Sequence, residues 1–371
     1  MRKIQTEKCR QKARMIKAQP SKATLIWAGL LLFTVILNLA ARLLPGFAEW
    51  YAVRVYPLIV GTLGRFCALF PFSVSELLLY ICLILLLGGF LRVLFRKLPL
   101  RRAAAVLGKA AIALFLMFTL NCGINYHRLA FSERAGFEIR ESTVEELTAL
   151  CEQLAGEINE AAAEISVDEE GYFTLDIDID VEEEAVRAMK AAGESYPELA
   201  GYYPQAKPVL GWWILSYQQL QGIYSPFTAE ANYNSDMPDQ DKPSTICHEL
   251  SHLRGFMRED EANFISYLAC MASDSAAFRY SGAVLAFIHS GNALYREDPE
   301  GFREIRAKLC EQALRDLADH NAYWNSYDGA VADAADRIND TYLRANAQAD
   351  GTKSYGRMVD LLLAWNREKE G

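Results

Sequence analysis

The chain has 371 residues, with 38 Lys and Arg against 47 Asp and Glu and 51% hydrophobic residues. That is too long for a disulfide-stapled miniprotein and too apolar for a disordered chain. Charge is unevenly spread: residues 1–126 hold 17 basic residues and only three acids (Glu7, Glu49 and Glu76), whereas residues 127–371 hold 21 basic and 44 acidic ones, and so acidic a larger part excludes nucleic acid as a partner, because phosphate binding needs a basic face.

Residues 1–22 form a basic tail carrying Arg2, Lys3, Lys8, Arg10, Lys12, Arg14, Lys17 and Lys22. Three uncharged apolar runs follow: Ala23–Ala41, Leu77–Leu91, and Ala110–Tyr126 with Ala103–Gly108 ahead of Lys109. About twenty such residues cross the hydrocarbon core, and three runs with basic flanks read as spans rather than buried core helices. Arg42 follows the first run where a signal peptide would need a small-residue cleavage site. Residues 23–126 are therefore a predicted membrane anchor of three transmembrane helices. Arg92, Arg96, Lys97, Arg101 and Arg102 fill the loop between the second and third spans. The positive-inside rule then predicts a cytoplasmic N-terminus and an extracytoplasmic domain over residues 127–371, in a bacterial cytoplasmic membrane. The lipid bilayer is the first expected partner. The loop from Arg42 to Glu76, with Trp50, Tyr51, Tyr56, Pro57 and Pro71, suits an interfacial or re-entrant segment.

The remainder reads as mainly helical with a small β element. Ser142-Thr143-Val144-Glu145 is a capping box that opens a helix to about Ile165. Phe173–Val181 (FTLDIDIDV) alternates strictly and predicts a half-exposed strand, with Asp176, Asp178 and Asp180 on its solvated face rather than around calcium. Glu182–Ala192 predicts a short helix and Thr228–Tyr233 a short strand. Helices are predicted at Ser244–Leu253, Asp260–Ala272, Ala276–Leu294, Pro299–His320, Ala330–Ala347 and Tyr355–Asn366. The eight cysteines include no CxxC and read as free buried thiols, with a Cys247–Cys270 bridge left open.

The chemistry concentrates in His248-Glu249-Leu250-Ser251-His252, an HExxH motif. Spacing of four on a helix puts both imidazoles on one face, one turn apart, which suits two Zn–N bonds of about 2.0–2.1 Å to one ion. Glu249, on the adjoining face, is placed to act as general base on a metal-activated water. A catalytic zinc needs a third protein ligand. Two carboxylates downstream compete for that place: Glu259, on the helix face it shares with Asn263, and Glu261, on the stripe of Ile265 and Leu268. The face argument favours Glu259, with Glu261 the alternative.

The order of HExxH and a following helix that begins Glu259-Asp260-Glu261-Ala262-Asn263 resembles the gluzincin clan of zinc metallopeptidases. Arg258–Asn263 is similar to the RExEAD stretch of the CAAX prenyl protease and its bacterial heat-shock relatives. That resemblance implies Glu259 as the third ligand and Asn263 as the residue that orients a ligand histidine, with Asn standing where those relatives have Asp. The wider layout resembles an uncharacterised bacterial family of membrane proteins, domain of unknown function 3810. The matching stretches are Tyr224–Asn232, the HELSH-to-EANF block, Asn339–Leu343 and Ser354–Arg357.

These readings predict a membrane-anchored zinc metallopeptidase with a mostly helical, zincin-like domain that hydrolyses peptide bonds of envelope proteins or peptides. Glu230 and Asn232, in the strand expected at the cleft edge, are candidate substrate contacts. Tyr355, Arg357, His289 and His320 are candidate transition-state donors. The rival reading is a non-catalytic binding or sensor domain braced by zinc, with Glu261 or Cys247 closing the site. A transporter is a third reading, but Lys109 is the lone ionisable residue near a span.

Overall fold

The computed structural model describes residues 21–348, 351 and 357–370. The three apolar runs form helices long and apolar enough to cross a membrane: Lys22–Leu43 (α1), Val74–Leu94 (α3), and Leu100–Phe118 (α4) continued by a π turn and a 3-10 turn to His127. Their surfaces are almost wholly uncovered by the rest of the chain, and this associates the protein with a membrane. Serines open the first two: Ser21 Oγ accepts from Thr24 N at 3.2 Å, and Ser73 Oγ from Glu76 N at 3.1 Å. Helix Phe47–Arg54 (α2) and the turns that follow it link the first two spans. That link does not lie free, because Tyr51, Tyr56 and Val60 share one hydrophobic core with Leu250 and Phe256.

The helical body comprises Val144–Ala162 (α5), Val181–Ser195 (α6), Lys242–Leu253 (α8), Glu259–Met271 (α9), Ala276–Glu297 (α10), Pro299–Arg306 (α11), Glu311–Ser326 (α12), Ala330–Ala345 (α13) and Met358–Glu370 (α14). Helix α9 is central, packed against α6, α8, α10 and α14. Phe264, Ile265, Tyr267 and Ala269, on several sides of α9, are fully buried, as expected of a helix apolar all round.

A three-stranded sheet lies against α8. Lys207–Val209 (β3) runs parallel to the central Glu230–Asn234 (β5), and Gly222–Ser225 (β4) pairs with β5 antiparallel on the other side, Gly222 opposite Tyr233 and Ser225 opposite Glu230. A short helix, Trp212–Tyr217 (α7), joins β3 to β4.

Three expectations need correction. The FTLDIDIDV strand shrinks to Phe173–Thr174 (β2), paired with Ser166–Val167 (β1). Beyond it the alternating residues have no sheet to lie on: Ile177 is fully exposed, and Asp180 Oδ1 accepts from Glu183 N at 2.8 Å as the N-cap of α6. The single helix expected over Pro299–His320 breaks between Arg306 and Glu311. Asn159 of α5 takes up both backbone groups freed there, donating to Lys308 O at 2.8 Å and accepting from Cys310 N at 2.7 Å. The strand expected as an edge, Thr228–Tyr233, is the central β5. Every described cysteine is a free thiol, with Cys247 and Cys270 facing each other between α8 and α9.

Candidate metal centre

Helix α8 begins with Pro243 in its first turn and ends at Gly255, whose φ of +92° is left-handed and turns the chain back. Phe256–Arg258 then lead into α9, which packs against α8. This return brings Glu259 opposite the two histidines. His248 Nε2 stands 3.2 Å and His252 Nε2 3.5 Å from Glu259 Oε2, and one ligand atom from each of the three residues lies within 4.8 Å of the others. The imidazoles are perpendicular, with ring centres 4.7 Å apart.

Each ring is held from behind. His248 Nδ1 is 2.7 Å from Asn263 Oδ1, and His252 Nδ1 is 2.8 Å from the carbonyl oxygen of Phe256. Both partners accept, so both Nδ1 atoms carry a hydrogen and both Nε2 atoms face the shared centre. Behind Asn263 lies His289, whose Nε2 is 3.5 Å from Asn263 Nδ2. Burial and the nearby His248 push the His289 imidazole down to about 4, so it is a neutral acceptor in the support of the site.

The electrostatics favour positive charge at the cluster. Burial alone would raise the Glu259 carboxyl, but His252 and His248 hold it well below the usual range. Burial would lower His252, yet Glu259 outweighs it and pushes the imidazole up to about 9. Burial pushes Glu249 up to about 7, against the pull of His248 and His252. Two buried carboxylates thus draw a proton onto an imidazole, a demand that a divalent ion bound by the three residues would satisfy. Glu249 Oε2 is buried without a hydrogen-bond partner. On its other side the carboxylate rests on β4, where a Cβ at Gly222 would stand 2.6 Å from Oε1. The donor set, its fixed tautomers and this orphaned oxygen fit a three-ligand zinc site with a base beside it.

The alternative ligand lies elsewhere. Glu261 is buried, but its Oε1 accepts from Phe131 N at 2.8 Å and pairs with Arg258 at 2.8 Å. Its carboxylate anchors the turn into α9 and leaves the centre to Glu259. Cys247 faces Cys270. The two residues suggested as a fourth ligand are thus engaged away from the cluster.

The two strand residues offered as substrate contacts lie inside the protein. Glu230 is buried, pairs with Lys207 Nζ at 2.6 Å, and accepts from Val74 N and Ser75 N at the start of α3. Asn232 is buried within the sheet, donating from Nδ2 to the Ile223 and Glu230 carbonyls at 3.3 Å. The chain beside Glu249 is β4, which pairs with β5 alone among the described strands and leaves its other edge without a strand partner among them. His320 is bound to Asp241 at 2.8 Å, ahead of α8. Arg357 reaches Asp260 at 3.6 Å, next to Glu259 in the sequence. Tyr355 lies outside the described residues.

Sequence reasoning missed Gly222, Tyr224 and the Phe256 carbonyl. Tyr224 packs beside His252 with ring centres 6.3 Å apart, and its hydroxyl meets that of Tyr56 at 2.8 Å and donates to Asn121 O at 3.1 Å. Gly222, just ahead of an apolar pair, carried a faint signal as a close backbone approach. A carbonyl partner leaves no mark in sequence.

The chain matches the family described as "Protein of unknown function (DUF3810)" over residues 51–363. It belongs to that family, whose matched region runs from the link after the first span into α14. No curated protein and no solved structure matches it.

Proposed function

We propose that this DUF3810 member is a membrane-anchored zinc metallopeptidase, with His248, His252 and Glu259 holding Zn²⁺ and Glu249 as general base. The observation that carries the reading is the orphaned, buried Glu249 carboxylate oxygen beside three convergent ligand atoms. A structural zinc site has no use for a base there, and Glu261 and Cys247, which would close such a site, have other partners. The basic flanks of the spans support a cytoplasmic N-terminus and a domain on the opposite face.

Bound zinc would polarise the scissile carbonyl and lower the pKa of the attacking water. Glu249 takes the proton of that water on Oε2 and returns it to the departing nitrogen. Asn263 and the Phe256 carbonyl keep both Nε2 atoms aimed inward throughout. An extended substrate adds to the free edge of β4, with backbone hydrogen bonds holding the scissile bond beside Glu249.

The test uses the full chain in detergent. Wild type should carry one zinc, His252→Ala should lose it, and Glu249→Gln should keep it while losing cleavage of a peptide library. A folded wild type that takes up no metal from supplied zinc would end the peptidase reading.

A further inference from the structure

The body is fixed to the spans at a definite height. From Arg102 to Asn121 the third span rises about 28 Å at ~1.5 Å per residue, close to the ~30 Å of hydrocarbon. Asn121 therefore marks the boundary opposite the basic loop. Val74, opening the second span, marks the same boundary counted back from Arg92. At that level the turn between β4 and β5 is fastened to both helices. Asn121 Nδ2 donates to Pro226 O at 2.5 Å and its carbonyl accepts from Tyr224. The Glu230 carboxylate, buried with Lys207, caps Val74 N and Ser75 N at 3.2 and 2.9 Å.

A second fastening lies nearby. Both carboxylate oxygens of Glu76 are occupied, by Leu210 N at 2.9 Å and by Gly211 N at 2.7 Å. At that fastening Leu210 is 79% and Trp213 52% exposed, as befits side chains resting in the interface of the bilayer.

Strand β4 then works as a ruler. It meets the boundary at Ser225, and Gly222, against Glu249, lies three residues before that in the chain. At ~3.3 Å per residue the base stands no more than about 10 Å from the level of the helix ends. A polypeptide leaving its own span at that boundary covers the same height in about three to five extended residues.

Resting on the peptidase reading, we propose that the substrate is a membrane-anchored polypeptide, cut within about three to eight residues of the end of its own span. The free edge of β4 receives that juxtamembrane stretch as an added strand rising from the bilayer. A soluble chain has no such delivery and meets the site only from bulk solution.

The experiment reconstitutes the zinc-loaded full chain in phosphatidylethanolamine–phosphatidylglycerol vesicles. Substrates are single-span peptides with a randomised exposed tail of thirty residues, beside the same tails without the span. Cut positions are read by mass spectrometry. The expected result is at least tenfold faster cleavage of tethered tails, with cuts clustered in the first eight residues and moving outward in sequence when the span is shortened. Equal cleavage of soluble tails, or cuts spread evenly along tethered ones, overturns the ruler and leaves the peptidase reading standing. No cleavage of either set overturns both. A readout without turnover uses Glu249→Gln and a photocrosslinking residue walked along the tail. Crosslinks to β4 should come from the first eight positions alone, and crosslinks from all positions equally would overturn the proposal.

Discussion

A side chain at position 222 would have nowhere to go. Its Cβ would meet Glu249 Oε1 at 2.6 Å and the backbone oxygen of Asn232 at 2.9 Å, and the second of these is held in the β4–β5 ladder. The carboxylate must then give way. Gly222→Ala should keep its zinc, lose about 1–3 kcal/mol of stability from overpacking, and lose roughly a hundredfold in hydrolysis, as expected for a base displaced by about 1 Å. Zinc content, thermal unfolding and peptide turnover measure the three effects separately, and undiminished turnover would remove Glu249 from the position assigned to it. Asn263 gives a second test. Its Oδ1 holds His248 at Nδ1, away from the Nε2 that faces the cluster, so on the zinc reading Asn263→Ala should weaken zinc binding about 10–100-fold. Asn263→Asp keeps the acceptor and adds charge, and should bind at least as tightly as wild type. Competition with a chelating dye reads both, and three equal affinities would deny Asn263 its orienting role.

Capping decides much at the level of elements. The N-terminus of α3 is capped from outside its own segment by Glu230, whose charge also answers the buried Lys207. Glu230→Ala strands that ammonium and should cost about 3–5 kcal/mol, seen as a lower thermal midpoint in detergent, with zinc content retained in the fraction that stays folded. Ahead of α8, Asp241 holds His320 Nδ1 at 2.8 Å and Trp324 Nε1 at 3.2 Å. Burial opposes charging of that imidazole, but the bond to Asp241 outweighs it and the folded pKa is raised. A raised folded pKa stabilises in full below the unfolded value of about 6.5, and the stabilisation disappears as pH rises through the folded value. The difference in thermal midpoint between wild type and His320→Gln should therefore be widest near pH 5.5 and shrink toward pH 9, and a difference that grew with pH would contradict the pair. Local signals of this kind were legible where both partners lie close in sequence. The box read at Ser142–Glu145 lies one residue ahead of the observed Thr143–Glu146 cap, and the helices expected at Ser244–Leu253, Asp260–Ala272 and Ala276–Leu294 match α8, α9 and α10. The shared face of Glu259 and Asn263 likewise pointed to the carboxylate that meets the histidines. The strand at Thr228–Tyr233 was legible, but strand pairing was not, because a strand needs a neighbour: FTLDIDIDV alternates well but has only two residues of partner, and β5 became central through β3, more than twenty residues upstream.

At the scale of the whole molecule, the boundary near residue 126, so plain in charge and hydropathy, does not divide the packing. Tyr56, Val60, Ile124 and Tyr126 from the anchor lie in the same hydrophobic cluster as Leu250, Phe256 and Phe264. Polar contacts cross at the same place. Arg128 is buried over the ring of Phe256 at 3.8 Å, reaches Glu49 at 3.5 Å, and through its carbonyl accepts from Arg258 Nη2 at 2.6 Å. Arg258 in turn pairs with Glu261 at the start of α9, so the chain between α8 and α9 is braced partly by the link between the first two spans. A fragment of residues 127–371 would keep Arg128 but lose Glu49, and would uncover the face that Tyr56 and Val60 cover. Burying a charge without its partner is costly, and an uncovered core face loses fixed packing before it loses helices. The fragment should therefore keep far-ultraviolet helicity, lose its near-ultraviolet dichroism, and bind zinc more weakly than the full chain, while co-expression with residues 21–126 should restore both. A fragment that folds alone, with sharp aromatic dichroism and full zinc affinity, would show a separable domain on a tether. The base would then have no fixed height above the bilayer, so this measurement also bears on whether the spans merely retain the protein at the membrane or form part of the frame that positions its metal centre.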